Sequence, residues 1–308
     1  MAITAQDVKQ LKELTNCGMM DCKRALEESG GNIDAAVKYL REKGLAKAAK
    51  KAGRIAAEGL VSCKIDESKK VGVIVEVNCE TDFAAKTDNF IKFVDLVIQT
   101  IMDNDVANVD GLKEVNGSGT NEKIADILTD RIATIGENIQ IRRFTKLSGD
   151  GLFSYVHNGG GTIYGTHATI LKLTADDYGE AVQVCAKDML MHITSMAPEF
   201  LTDDSIPQSV KDEERDTQLK LIMKENEAKP KPQNVVDKIL EGRMKKFFEE
   251  TCLMTQSFVK DPDSTVEKFL DSVGKNIKVE QFARFEKGEG ISKKEDDFAA
   301  EVASMMNG

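Results

Sequence analysis

At 308 residues, 41 % hydrophobic and 31 % charged, the chain is long enough for two or more globular domains with a sizeable core. Its net charge of −10 argues against a general nucleic-acid binder, because neutralising phosphates needs a basic surface, so no direct nucleic-acid contact is expected. Six cysteines (Cys17, Cys22, Cys63, Cys79, Cys185, Cys252) include no C-x-x-C pair, and His157, His167 and His192 do not join them at zinc-ligand spacing. The expectation is free thiols in a reducing cytoplasm, with no metal and no cofactor. The opening MAITAQDVKQL lacks a charged segment leading into an apolar one, and no window reaches eighteen apolar residues, so neither secretion nor a membrane span is expected.

Residues 1–44 read as three short helices. Thr4 with Asp7 forms a capping box opening a helix with Val8, Leu11 and Leu14 inward, broken at Gly18. Met20, Cys22, Ala25 and Leu26 line a second helix, stopped at Gly30 and Gly31. Asn32 caps a third, with Ile33, Ala36, Val37 and Leu40 inward and Gly44 beyond its end. So small a unit has little core, which leaves Met19 and Met20 open to two readings, core filling or exposed contact. The Gly30-Gly31-Asn32 entry is similar to ubiquitin-associated domains. Their Met-Gly-aromatic loop is replaced by Cys17, Gly18, Met19 and Met20. Residues 45–58 are Ala-rich and basic (Lys47, Lys50, Lys51, Arg54). Without interleaved aromatic residues they read as a partly helical linker with a solvated face rather than an RNA surface.

From Gly59 the chain repeats itself: strand, turn, strand, polar corner, amphipathic helix, and the same again from Gly151. In the first copy Val71, Val73, Val75 and Val77 alternate with Gly72, Ile74, Glu76 and Asn78. Phe90, Phe93, Val94, Val97, Ile98 and Ile101 then form a helical stripe capped by Thr87 or Asp88. Between them lies a corner, Thr81, Asp82, Phe83 and Ala84. An exposed ring beside a carboxylate suits entry into another protein, whereas spacing alone favours Phe83 as the first core position of the helix, with Asp82 as a second cap. Ile124, Ile127, Leu128, Ile132 and Ile135 mark another helix closing near Gly136, followed by a strand over 140–144.

In the second copy the turn is Asn158, Gly159, Gly160 and Gly161, and Val182, Cys185, Met189, His192, Ile193 and Met196 form the stripe. No helix opens directly behind these glycines and no Walker sequence occurs, so the run reads as a hairpin tip rather than a phosphate cradle. His192 belongs to the apolar stripe, while His157, at a strand end, is open to solvent. Residues 208–247 form two charged helices parted by Pro230 and Pro232. Leu219, Ile222 and Met223 face Val236, Ile239, Leu240 and Phe247, giving a projecting antiparallel hairpin. Val279, Phe282 and Phe285 close a sheet, and a last helix carries Phe298, Val302 and Met305.

The fold class is therefore α+β: a three-helix (ubiquitin-associated-like) domain with basic linker at 1–55, and two related core subdomains with antiparallel sheets at 56–148 and at 149–207 plus 248–286. A coiled-coil insertion at 208–247 and a C-terminal helical module at 287–308 complete it.

Six stretches, CGMMDCKRAL, AKAAKKAG, EVNCETDFAAK, IGENIQIRR, EGRMKKF and RFEKGEGI followed by DFAAEV, together resemble bacterial translation elongation factor Ts over essentially the whole chain. The resemblance implies a guanine-nucleotide exchange factor, not an enzyme, whose partner is elongation factor Tu in its GDP-bound and nucleotide-free forms. It implies that Thr81, Asp82, Phe83 and Ala84 intrude beside the GTPase's Mg²⁺ site. Ile135, Gly136 and His157 would line further contacts, and Met19, Met20 and the helix of Phe298 would hold the nucleotide domain. Whether the assembly is one-to-one, or a homodimer in a two-to-two complex, stays open. The alternative is an adaptor binding RNA or a ubiquitin-like partner through residues 1–58.

Overall fold

The computed structural model describes residues 3–15, 17–228 and 230–292. It opens with α1 (Ala5–Thr15), α2 (Met19–Glu28) and α3 (Ile33–Lys51). The Thr4–Asp7 capping box forms: the Thr4 N–H donates to Asp7 Oδ2 at 2.9 Å and the Asp7 N–H to Thr4 Oγ1 at 3.2 Å. Leu11, Cys22, Ala25, Leu26 and Ala36 make the small core, but Leu14 and Val37, placed inward by their spacing, are exposed. The third helix does not stop at Gly44 either. It runs on to Lys51, because Gly44 is buried where α3 crosses the helix of residues 124–135, against Ala133 and Thr129. Arg41 pairs with Asp126 across the same crossing, and Ala48 packs on the first core. The basic segment is thus helical over 45–51, as the end of α3, and irregular from there to β1.

The chain continues through β1 (Glu58–Asp66), β2 (Val71–Cys79), α4 (Asp82–Ala85), α5 (Asp88–Asp103), α6 (Val109–Glu114), α7 (Ile124–Ile135) and β3 (Gln140–Ser148). Next come β4 (Leu152–His157), β5 (Tyr164–Gly165), β6 (His167–Thr174) and α8 (Glu180–Met196). The remainder is α9 (Gln208–Ala228), α10 (Gln233–Thr251), β7 (Ser257–Phe258), β8 (Asp261–Thr265), α11 (Val266–Val273) and β9 (Lys278–Glu286). The strands form antiparallel sheets in the orders β3-β2-β1-β5 and β4-β6-β9, with a β7-β8 pair besides.

Alternation along β2 and β6 builds the layers. Val73, Val75, Val77 and Cys79 meet α5 and α7 in one core, where Phe90 and Phe93 are buried, each contributing about 1.5–3 kcal/mol. The opposite face of β2 is buried as well: Ile74 joins Val61, Cys63 and Leu147 against Ala168, Ile170 and Phe285 of the second sheet. Leu171 and Leu173 then face α8. The order is helices, sheet, sheet, helices. The repeat departs from a simple hairpin at 158–166, where Tyr164–Gly165 leaves its own sheet to pair with Val61 and Ser62 of β1. Met196 ends exposed rather than on the α8 stripe. In the α9–α10 hairpin the seam holds Leu219, Ile222, Val236, Ile239, Leu240, Met244 and Phe247, while Met223 turns out to solvent.

One buried charge joins the layers. Glu76, fully buried on β2, accepts from Arg142 Nη1 (3.0 Å), Arg143 Nε (2.6 Å), Asn78 Nδ2 (3.1 Å) and the Gly288 N–H (2.7 Å). Arg143 and Arg284 grip Glu289 at 2.9 and 2.8 Å, so its carboxyl, which burial alone would raise, lies below the usual range. Gly288 has φ 70°, and a Cβ there would lie 2.2 Å from the Ala57 carbonyl oxygen, so the chain can pass only as glycine. Glu76→Ala removes the acceptor that Arg142, Arg143, Asn78 and the Gly288 N–H share, and is expected to cost about 3–5 kcal/mol, measured by urea unfolding.

His192 is fully buried on α8. Its Nδ1 accepts the Val259 N–H at 3.1 Å, leaving Nε2 to donate to Gln256 Oε1 at 3.0 Å. Burial lowers its pKa, outweighing the Gln256 bond, so below about pH 6.5 the unfolded chain takes up a proton the native one refuses. Its contribution to stability is therefore complete above pH 6.5 and declines as the pH falls from there to the lowered native value. Denaturant titrations at pH 7.5 and 5.5 should show this loss in the wild type and a smaller one in His192→Asn.

Candidate functional site

The corner after β2 is built from two successive caps. Thr81 caps α4, its Oγ1 accepting the Ala84 N–H at 3.2 Å, and Thr87, not Asp88, caps α5 by accepting the Phe90 N–H. Thr87 Oγ1 also donates to the Ala84 carbonyl at 2.7 Å. Two caps six residues apart break what spacing would allow as one helix. Phe90 is on the buried stripe, and Phe83 is not: it is 80 % exposed, while Ala84 and Ala85 anchor the turn beneath it.

Asp82 shares this exposed tip. Lys86 donates to its carboxylate at 2.6 Å and holds the carboxyl below its ordinary pKa. The same ammonium stands 6.0 Å from the centroid of the Phe83 ring. An exposed pair of this kind contributes little to stability, so Asp82 can exchange Lys86 for another cation at small cost. Beneath the tip, the Cys79 thiol donates to the Thr81 carbonyl, and burial pushes its pKa up to about 12, which leaves it unreactive.

A second corner meets the first. α7 ends at Ile135, and Gly136 takes the left-handed conformation (φ 88°) that turns the chain back. Glu137 then accepts the N–H groups of Glu80 and Thr81, both at 3.0 Å, and the Thr81 hydroxyl at 2.5 Å. In return the Asn138 N–H donates to Glu80 Oε1 at 2.7 Å. Arg54, just past α3, lies 3.6 Å from Glu80 and accepts Asn138 Nδ2 at its carbonyl, at 2.7 Å.

The fold therefore brings Thr81, Asp82, Phe83 and Ala84 together with Ile135 and Gly136. Met19 and Met20 lie on another element, at the start of α2, exposed at 61 % and 71 %. His157 lies on a third, at the exposed end of β4, where it pairs in register with His167 and its Nδ1 is 2.9 Å from the Tyr155 hydroxyl. Phe298 lies outside the described residues. Sequence reasoning does not single out Glu80, Glu137 or Asn138, and it names Arg54 only as a cation of the basic segment. The one available signal was their place just beyond a helix end or strand end. Among the described residues no three His, Cys, Asp or Glu side chains are grouped to hold a metal ion, and no helix is long and apolar enough to cross a membrane.

Comparison with known proteins adds the lineage. Residues 80–289 match the family described as Elongation factor TS. The elongation factor Ts of Halothermothrix orenii is 43 % identical over 309 residues, covering 100 % of this chain and 99 % of that protein. That of Magnetococcus marinus is 42 % identical over 314 residues, covering all of both, and that of Clostridium kluyveri 44 % over 313, covering 99 % of each. These matches define the class first, an elongation factor of protein biosynthesis with an α+β fold. More particularly, the chain belongs to the elongation factor Ts family.

The exposure of Phe83 yields a direct check on the corner. Phe83→Ala should change folding stability by no more than about 0.5 kcal/mol, as for a surface substitution, whereas Phe90→Ala should lose about 3–5 kcal/mol. Thermal and urea melts of the two variants measure the contrast.

Proposed function

We propose that this protein is a guanine-nucleotide exchange factor for the GTPase elongation factor Tu, acting in the cytoplasm during translation elongation. It binds the GDP-bound GTPase, the corner of Thr81, Asp82, Phe83 and Ala84 enters beside the partner's Mg²⁺ site, and GDP leaves so that GTP can bind. The observation that carries this reading is a large apolar ring, 80 % exposed, standing beside a carboxylate on a turn fixed from below. Exposing such a ring forgoes about 1.5–3 kcal/mol of burial, which becomes available when a partner covers it.

The reaction asks for no covalent chemistry from this chain. Phe83 would wedge between elements of the nucleotide domain, and Asp82 would draw on the groups that support the ion. Mg²⁺ bridges the phosphates to the GTPase, so moving it loosens the whole nucleotide. Reciprocity supplies the rest: a factor that prefers the empty GTPase must weaken nucleotide binding by the same ratio, about tenfold for each 1.4 kcal/mol of preference. Ile135 and Gly136 would border this contact. Met19, Met20, His157 and Phe298 would hold other parts of the partner and set the orientation of approach.

Stopped-flow release of fluorescent GDP from bacterial elongation factor Tu tests the proposal. Wild-type protein should accelerate release. Phe83→Ala should reduce the acceleration about ten- to a hundredfold, in line with the burial it forfeits, and Asp82→Ala should reduce it as well, with melting temperatures unchanged. No acceleration by the wild type would overturn the assignment.

A further inference from the structure

We infer that Glu137 is a positioning residue for nucleotide exchange: its carboxylate fixes the pose of the Thr81–Ala84 corner and thereby sets the exchange rate without touching the partner. The inference rests on the exchange-factor reading and extends it to a residue 56 positions away from Thr81.

α4 is a single turn, too short to hold itself, since closing one helical turn is unfavourable without external support. Its support is the Thr81 cap, and the cap depends on the direction of one hydroxyl. Thr81 Oγ1 donates to Glu137 Oε1 at 2.5 Å and accepts from the Ala84 N–H at 3.2 Å. A carboxylate accepts and never donates, so Glu137 obliges the hydroxyl to point its proton away from α4 and its lone pair toward Ala84. The second carboxylate oxygen holds the Glu80 and Thr81 N–H groups, both at 3.0 Å, fixing the backbone from which the turn starts. Bonds to a charged acceptor are the stronger kind.

The clamp is closed from the other side. Glu80 returns the contact by accepting the Asn138 N–H, and Gly136, in its left-handed conformation, sets the path that delivers Glu137. Arg54 ties this pair of corners to the end of α3 through Glu80 and Asn138. Phe83 therefore projects from a base held by three separate segments of chain. Preset geometry of this kind acts on rate, because a tip that must first find its pose enters the partner less often.

Glutamine separates the two parts of the role. In Glu137→Gln the amide oxygen still accepts the backbone N–H groups, but the amide nitrogen cannot accept the Thr81 hydroxyl proton. In Glu137→Ala both contacts go. The experiment combines GDP release, titrated to give a maximal rate and a half-saturating concentration, with amide hydrogen exchange of the free protein. Glu137→Ala should lower the maximal rate about tenfold or more, with at most about a threefold change in half-saturation. Amides of 80–84 should exchange about tenfold faster while those of β2 and α5 stay unchanged. Glu137→Gln, which keeps the backbone contacts but loses the hydroxyl's acceptor, should give a rate between those of Glu137→Ala and the wild type. Unchanged rate and amides would overturn the inference. So would a loss confined to half-saturation, which marks a contact residue, or protection lost throughout the sheet, which marks a role in folding alone. Inactive wild-type protein would instead overturn the exchange reading, and this inference with it, before any variant is compared.

Discussion

The structure depends on keeping one carboxylate satisfied away from water. Glu76 sits on a central strand with both faces covered, where an unpaired charge would cost several kcal/mol. Its donors come from three places: Asn78 on its own strand, Arg142 and Arg143 on β3, and the Gly288 amide just past β9. Because β9 belongs to the second sheet and β2 and β3 to the first, satisfying the charge fixes how the two sheets meet at this end. The apolar contact of Ile74 with Ala168 and Ile170 brings the sheets together, and the Glu76 cluster gives that contact a register.

The candidate site stands at the end of the strand that carries this charge. From Glu76 the chain needs only Val77, Asn78 and Cys79 to reach the bend at Glu80. The corner beyond that bend divides into a base and a tip. Ala84, Ala85, Glu137 and Asn138 form the base, all engaged in packing or hydrogen bonds, and Asp82, Phe83 and Lys86 form the tip, free to trade partners. A rigid base under an exposed ring is suited to delivering binding energy at one spot on another protein.

The proposed recognition rests on shape rather than on net charge. The net charge of −10 gives no general attraction to phosphates, and two ion pairs stand at the corner, Arg54 with Glu80 and Lys86 with Asp82. Among the exposed apolar side chains are Phe83 on α4 and Met19 and Met20 on α2. Recognition built on such groups depends on a partner that can cover them, and in the proposed exchange the effect on the nucleotide would come from linkage.

The sequence by itself determined the parts that rest on short-range interactions. The valine alternation of β2, the stripe of α5 and the Thr4–Asp7 box all reach no further than four residues, and local pattern is enough to read them. The motif around Thr81 to Ala84 was legible too, as a family resemblance. Only the tertiary structure decided whether Phe83 is core or surface, because its spacing from Phe90 permits both and the two threonine caps settle it. The same holds for Gly44, a helix stop by local rule that becomes a crossing point once α7 lies against it, and for Tyr164–Gly165, which completes the other sheet. The roles of Glu76 and Glu137 depend on donors from strands and corners distant in sequence, and no local pattern records a partner 56 or 212 residues away.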